Sequence, residues 1–197
     1  MSRRTAITAV LAALAIAAVV WGAWFVFGHR WYRQAPAGTA ASPATPPDAA
    51  AQRRITATLF FVSDDGMSLV PVQREVPFGE PVVEQARHIA EAQIAAPEGP
   101  LASAVPAGTT LRSIYLDELG NLFIDLSAEV TRNHTGGSLD ELFTVYTLVN
   151  ALTVNLPAIQ RVQILIDGKE TDTLAGHVDL RNPLSKNMTW VKTDNPS

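Results

Sequence analysis

Asp64-Asp65-Gly66 sets two carboxylates side by side, a pairing that could hold a divalent cation. The alternating oxygen ligands of a calcium loop are missing, however, and Asp-Gly between two strand-like runs is hairpin-turn chemistry. The four histidines, His29, His88, His134 and His177, stand at no ligand spacing from one another or from an acidic pair, so no metal and no cofactor is expected. Asp125, within Phe123-Ile124-Asp125-Leu126-Ser127, reads as a backbone acceptor where a strand turns outward rather than as a general base. Ser127 and Ser138 lack the Gly-x-Ser-x-Gly setting of a hydrolase nucleophile. Gly136-Gly137 could offer backbone donors to a phosphate, but no lysine follows and Ser138 accounts for the helix start. With no cysteine in the chain, thiolate nucleophiles, zinc–thiolate sites and a thioether lipid anchor are excluded. No catalytic constellation emerges, and a non-enzyme is expected.

The elements that would position these groups follow from periodicity. Ile55 to Val62 and Leu69 to Val76 read as a β-hairpin, with Pro71 marking the second strand as an edge or as bulged. Pro81 to Ala95 spaces Val82, Val83, Ala86, Ile89, Ala90 and Ile94 as one face of an amphipathic helix. A long connection punctuated by Pro97, Gly99, Pro100, Pro106 and Gly108 leads to a second hairpin, Thr110 to Leu116 and Asn121 to Leu126. Ser138-Leu139-Asp140-Glu141 has capping-box spacing and opens a helix of about 18 residues, stopped by Pro157. That helix is apolar over most of its circumference, so it is either buried between sheet and first helix or meets another subunit, with Val145, Leu148 and Leu152 as the candidate interaction surface. Gln160 to Ile166 is the next strand, and His177 to Leu180 is expected to close the sheet. The fold class is α+β: one domain of β-hairpins and two helices packed on one sheet, with an α-β-β-α-β core.

Ahead of this domain, Ala6 to Phe27 forms an uncharged apolar run of about 22 residues, enough to cross a hydrocarbon core of roughly 30 Å and longer than the stretch of about 7 to 15 in a cleaved signal. Ala6, Leu11, Leu14, Val20, Trp21, Trp24 and Phe27 represent this anchor, the tryptophans suiting an interface. The expected organisation is a cytoplasmic tail at 1–5, a transmembrane signal anchor at 6–28, a Pro/Ala-rich linker at 29–52, a domain at 53–185 and a tail at 186–197. A single-pass inner-membrane protein with its domain outside the cytoplasm is the resulting placement. Four arginines and one aspartate of the first 51 residues set aside, eleven basic and eighteen acidic groups remain, a formal charge of −7. An acidic domain without a basic stripe excludes nucleic acid as a partner.

Three segments resemble the sporulation and spore germination family called GerMN: TLFFVSDDGMSLVPVQREV at 58–76, LASAVPAGTTLRSIYLDELGNLFIDLSAEV at 101–130, and LFTVYTLVNALTVNLPAIQRVQILIDGKE at 142–170. The last carries the family's closing pattern of helix, proline-bearing turn and strand, although Asn155-Leu156-Pro157-Ala158-Ile159 replaces its usual pairing of proline with glycine. The resemblance implies an extracytoplasmic α/β domain serving envelope assemblies, with a core similar to ring-building modules, and supplies no catalytic residues. A membrane-anchored assembly or adaptor domain, forming homo-oligomers or binding an envelope protein, is therefore expected. The alternative is an envelope ligand-binding module or a small enzyme acting on a cell-wall polymer, which a pocket of converging carboxylates near Asp125 or Asp64 would support. RNA binding fails on charge unless an exposed aromatic sheet face is present.

Overall fold

β-Branched and aromatic residues from Ile55 onward form β1 (Arg54–Val62), and the chain returns as β2 (Leu69–Pro77), antiparallel in unbroken register from Arg54↔Pro77 to Val62↔Leu69. The structure, a computed structural model, describes residues 53–192 apart from Glu98. The anchor expected over 6–28 and the linker at 29–52 lie outside the described residues. Among those described, no helix is long and apolar enough to cross a membrane. At the hairpin turn Asp65 accepts from the Ser63 hydroxyl and the Met67 N–H and pairs with Lys192 at 3.0 Å, donors that hold its carboxyl well below the usual range. The Asp65 carboxylate is thus already occupied by internal donors.

The expected first helix is α1 (Val82–Ile94), entered from Pro81. β3 (Leu111–Leu116) and β4 (Asn121–Leu126) make the second hairpin, a single turn α2 (Glu129–Arg132) follows, and α3 (Ser138–Asn155) crosses over to β5 (Arg161–Ile166). β4 and β5 are parallel, which the intervening helix permits, since parallel neighbours need a crossover. Asp167-Gly168, both at positive φ, turn the chain into β6 (Lys169–Glu170). β7 (Leu184–Ser185) pairs with the start of β5. The core α1-β3-β4-α3-β5 agrees with the expected order.

Two expectations are corrected here. The hairpin β1–β2 does not join the main sheet: the described strands form a two-stranded sheet and a separate five-stranded one, ordered β3-β4-β5-β6 with β7 beside β5. The reason lies at the free edge of β1, where side chains stand in for a strand. Asn155 accepts from the Thr58 N–H and donates to its carbonyl; Gln93 does the same for Phe60; the Val62 N–H donates to Ala102. Nor does His177 to Leu180 form a strand. That segment is drawn to α3 instead, and β6 and β7 border β5.

The interior joins Leu59, Phe60 and Phe61 of β1, Ala86, Ile89 and Ala90 of α1, Leu122, Ile124 and Leu126 of β4, and Val162 and Ile164 of β5 around α3. Val145, Leu148 and Leu152 are each 0% exposed. They offer no docking surface on this chain, because β1, α1 and β5 already enclose the helix on its apolar sides. Of the two readings of this helix, burial is the one observed.

Candidate functional site

Helix α3 carries polar residues at intervals of about one turn along an otherwise apolar rod: Glu141, Thr144, Thr147 and Asn150, all buried. Each bonds a backbone group of a different segment. Thr144 donates to Ala104, and Thr147 donates to the Phe60 carbonyl. Asn150 donates to the Asn187 carbonyl and accepts its N–H. No buried side-chain polar atom among the described residues lacks a partner. The helix is therefore a spine that satisfies irregular backbone from inside the core.

Glu141 anchors the top of this spine. Its carboxylate accepts the N–H groups of Leu174, Ala175 and His177 at 2.8–2.9 Å and faces His177 Nδ1 at 3.0 Å, while the side chain is 0% exposed. Burial pushes the carboxyl up, but the Ala175 and His177 donors outweigh it, and the net shift is downward. The capping box expected from Ser138 and Glu141 is absent. The helix starts at Ser138 itself, Gly137 is the N-cap at φ 95°, and the glutamate reaches forward to 174–177 rather than back. The two glycines stand next to acidic Asp140 and Glu141, a poor setting for phosphate.

Asp125 is the backbone acceptor that its place at a strand end implied. Oδ1 accepts the Gly168 N–H at 2.7 Å and Oδ2 takes Arg112 Nη1 at 3.1 Å; the same guanidinium lies 3.4 Å from Asp167. The arrangement ties the β5–β6 turn to β3 and β4. His88 meets the Pro77 carbonyl, and His134 bridges the Gly136 N–H and the Thr144 hydroxyl. His29 lies outside the described residues. No group of three or more His, Asp or Glu side chains placed to hold a metal occurs among the described residues.

A groove of about 470 Å³ opens between 103–107 and 133–135, floored by Val62, Phe143 and Thr144, with Asp140 the one carboxylate in its wall. Neither Asp64 nor Asp125 borders it. On the opposite kind of surface, Tyr115 of β3 is 64% exposed, its ring 6.1 Å from that of Phe123 on β4, and Leu119 in the connecting turn is 80% exposed. This aromatic pair, Tyr115 exposed and Phe123 half-buried, was not legible as a surface feature, since alternation alone does not say which face of a hairpin is covered. Trp190 is exposed, but its carbonyl accepts the Leu69 N–H, and the Lys192 N–H donates to the Leu69 carbonyl, fastening the tail along β2.

A family model described as Germane, sporulation and spore germination, matches residues 58–172. No curated protein matches. Among solved structures, the tandem GerMN domains of the sporulation protein GerM from Bacillus subtilis superpose with a TM-score of 0.55 at 20% identity, covering 68% of this chain and 46% of that one. The chain thus spans about half the length of that tandem structure. The first GerMN domain of the same protein gives a TM-score of 0.52 at 20% identity, covering 66% of this chain and 97% of that one. A lipoprotein from Clostridium perfringens gives 0.48 at 24% identity, covering 68% and 88%. At these identities the likeness to GerM is one of fold.

Proposed function

Because the chain belongs to the Germane family of sporulation and spore germination domains, we propose that it is a non-enzymatic assembly domain, anchored in the inner membrane through residues 6–28 and displayed outside the cytoplasm. Its partners are further copies of itself or another envelope protein. The observation that carries this reading is the division of labour among its side chains. Glu141, Asp125, Asp65 and Asp117 are occupied by internal donors. Among the large apolar groups exposed in the described residues, Tyr115 and Leu119 stand together on one hairpin, while Met67, Val82, Met188 and Trp190 lie outside it. Polar chemistry is used to hold the fold, and what is left for the outside is contact.

The groove beside His134 favours the second reading, a ligand-binding module or small enzyme for an envelope polymer. It receives less support than the first because its polar lining is already paired internally: His134 to Thr144 and Gly136, Thr135 to Asp140, Asn133 to Ala107. The Tyr115–Phe123 pair has the form of a base-stacking platform, yet Arg112, the cation of that strand, is held by Asp125 and Asp167. Nucleic acid stays outside the proposal.

Expressed in a bacterium and fractionated, the full-length chain should stay with inner membranes through an alkaline carbonate wash and be digested by protease added to spheroplasts. Recovery in the soluble fraction, or protection from the protease, would overturn the anchored, outward placement.

A further inference from the structure

Among the described residues the sheet edges are closed at most positions. β1 is capped by Asn155, Gln93 and Ala102. On β2 the ladder alternates, so that Leu69, Pro71, Gln73, Glu75 and Pro77 direct their backbone away from β1. Of these, Leu69 is paired with the tail, Pro71 and Pro77 have no N–H to offer, and the Glu75 carbonyl accepts from Arg54, which leaves Gln73 and Glu75 as two outward N–H groups set between prolines. β5 is bordered by β6 and β7. β3 is open too, and without prolines on either side of its open groups. Because the Asp117 N–H donates to Asn121, the alternation turns Ser113 and Tyr115 toward β4 and leaves Ile114 and Leu116 directing N–H and C=O outward. Among the described residues no hydrogen-bond partner meets those groups. The strand contains no proline and no lysine, and its bulge, between Leu111 and Ser113 at Arg112, lies ahead of the open stretch Ser113 to Leu116.

We propose that β3 pairs antiparallel with β3 of a second copy of this chain, about a two-fold axis at Ile114, joining two sheets into one. The inference rests on the assembly reading and names its surface. Three features on the strand fit a second copy. An antiparallel two-fold sets Arg112 opposite the partner's Leu116 and so keeps the two guanidinium groups apart, whereas a parallel pairing would set arginine beside arginine. Ser113 falls opposite the partner's Tyr115, a small residue against a large one. The two Tyr115 rings become diagonal neighbours at about 7–8 Å, extending the Phe123–Tyr115 contact into a row that crosses the axis and covers the most exposed aromatic ring on the sheet.

The chain has no cysteine, so Ser113→Cys and Tyr115→Cys each introduce a unique thiol at an exposed position. In the proposed dimer, residues 113 and 115 of opposite copies form a non-hydrogen-bonded pair with Cα atoms about 4.5 Å apart, within disulfide reach. The two full-length variants, mixed in detergent and oxidised, should give the mixed disulfide in at least about ten-fold excess over either homodisulfide. Equal yields of all three, or none, in a wild-type chain that still sediments as an oligomer would overturn the β3 edge while leaving self-association standing. No disulfide in a chain that sediments as a monomer at every concentration would overturn both.

Discussion

Replacing Glu141 with leucine should lower the stability of the domain by about 3–5 kcal/mol, because three backbone N–H groups lose their acceptor and each buried donor left unpaired costs about 1–3 kcal/mol. The donors are Leu174, Ala175 and His177, which have been drawn off the sheet to meet this carboxylate. With a urea slope of about 1–3 kcal/mol per molar, the midpoint should fall by about 2 M. A leucine variant within about 1 kcal/mol of the parent would refute a structural role. The same residue makes the fold acid-sensitive. Its folded pKa lies below its unfolded value of about 4.3, so the stability it contributes is present above that pH and is lost as pH falls through the lower folded value. Below about pH 4.3 the parent should therefore lose stability more steeply than Glu141→Gln, which has no proton to take up. The exposed carboxylates Asp65 and Asp117 are held low in both proteins, so their contribution cancels in the comparison.

Gln93→Leu should cost about 2–3 kcal/mol, since the Phe60 N–H loses its acceptor in a fully buried setting. The Phe60 carbonyl keeps one donor, the Thr147 hydroxyl. Removing that as well with Thr147→Val should cost more than the two single changes added together, by about 1 kcal/mol, because only then is the carbonyl left without a partner. Additive losses measured by urea unfolding would mean that the two side chains act independently and that the edge of β1 is not closed by them jointly.

The elements built on local pattern were legible. β4 falls on the expected residues, α1 differs from its expected span by one residue at each end, and α3 stops before Pro157. What was not legible depends on pairings far apart in sequence. Gln93 bonds a strand 33 residues earlier and Asn155 one 97 residues earlier, so the division into two sheets has no local signature. Glu141 was misread because its spacing from Ser138 suits a cap. The better signal was the recurrence of Glu141, Thr144, Thr147 and Asn150 in an apolar helix, where a polar stripe marks an inward face once the rest is buried. The assignment of α3 as a possible contact surface failed for the same reason. Asp125 was read rightly, since a carboxylate at a strand end needs only the neighbouring turn to find a backbone donor.

The central claim, that this domain assembles with itself, is tested most directly by sedimentation equilibrium on residues 53–197, which belong to one compact unit of the chain. The account predicts a mass that rises with concentration toward the dimer and falls back to the monomer in Tyr115→Lys, a charge placed at the open edge. A monomer across the whole concentration range, for parent and variant alike, would contradict it.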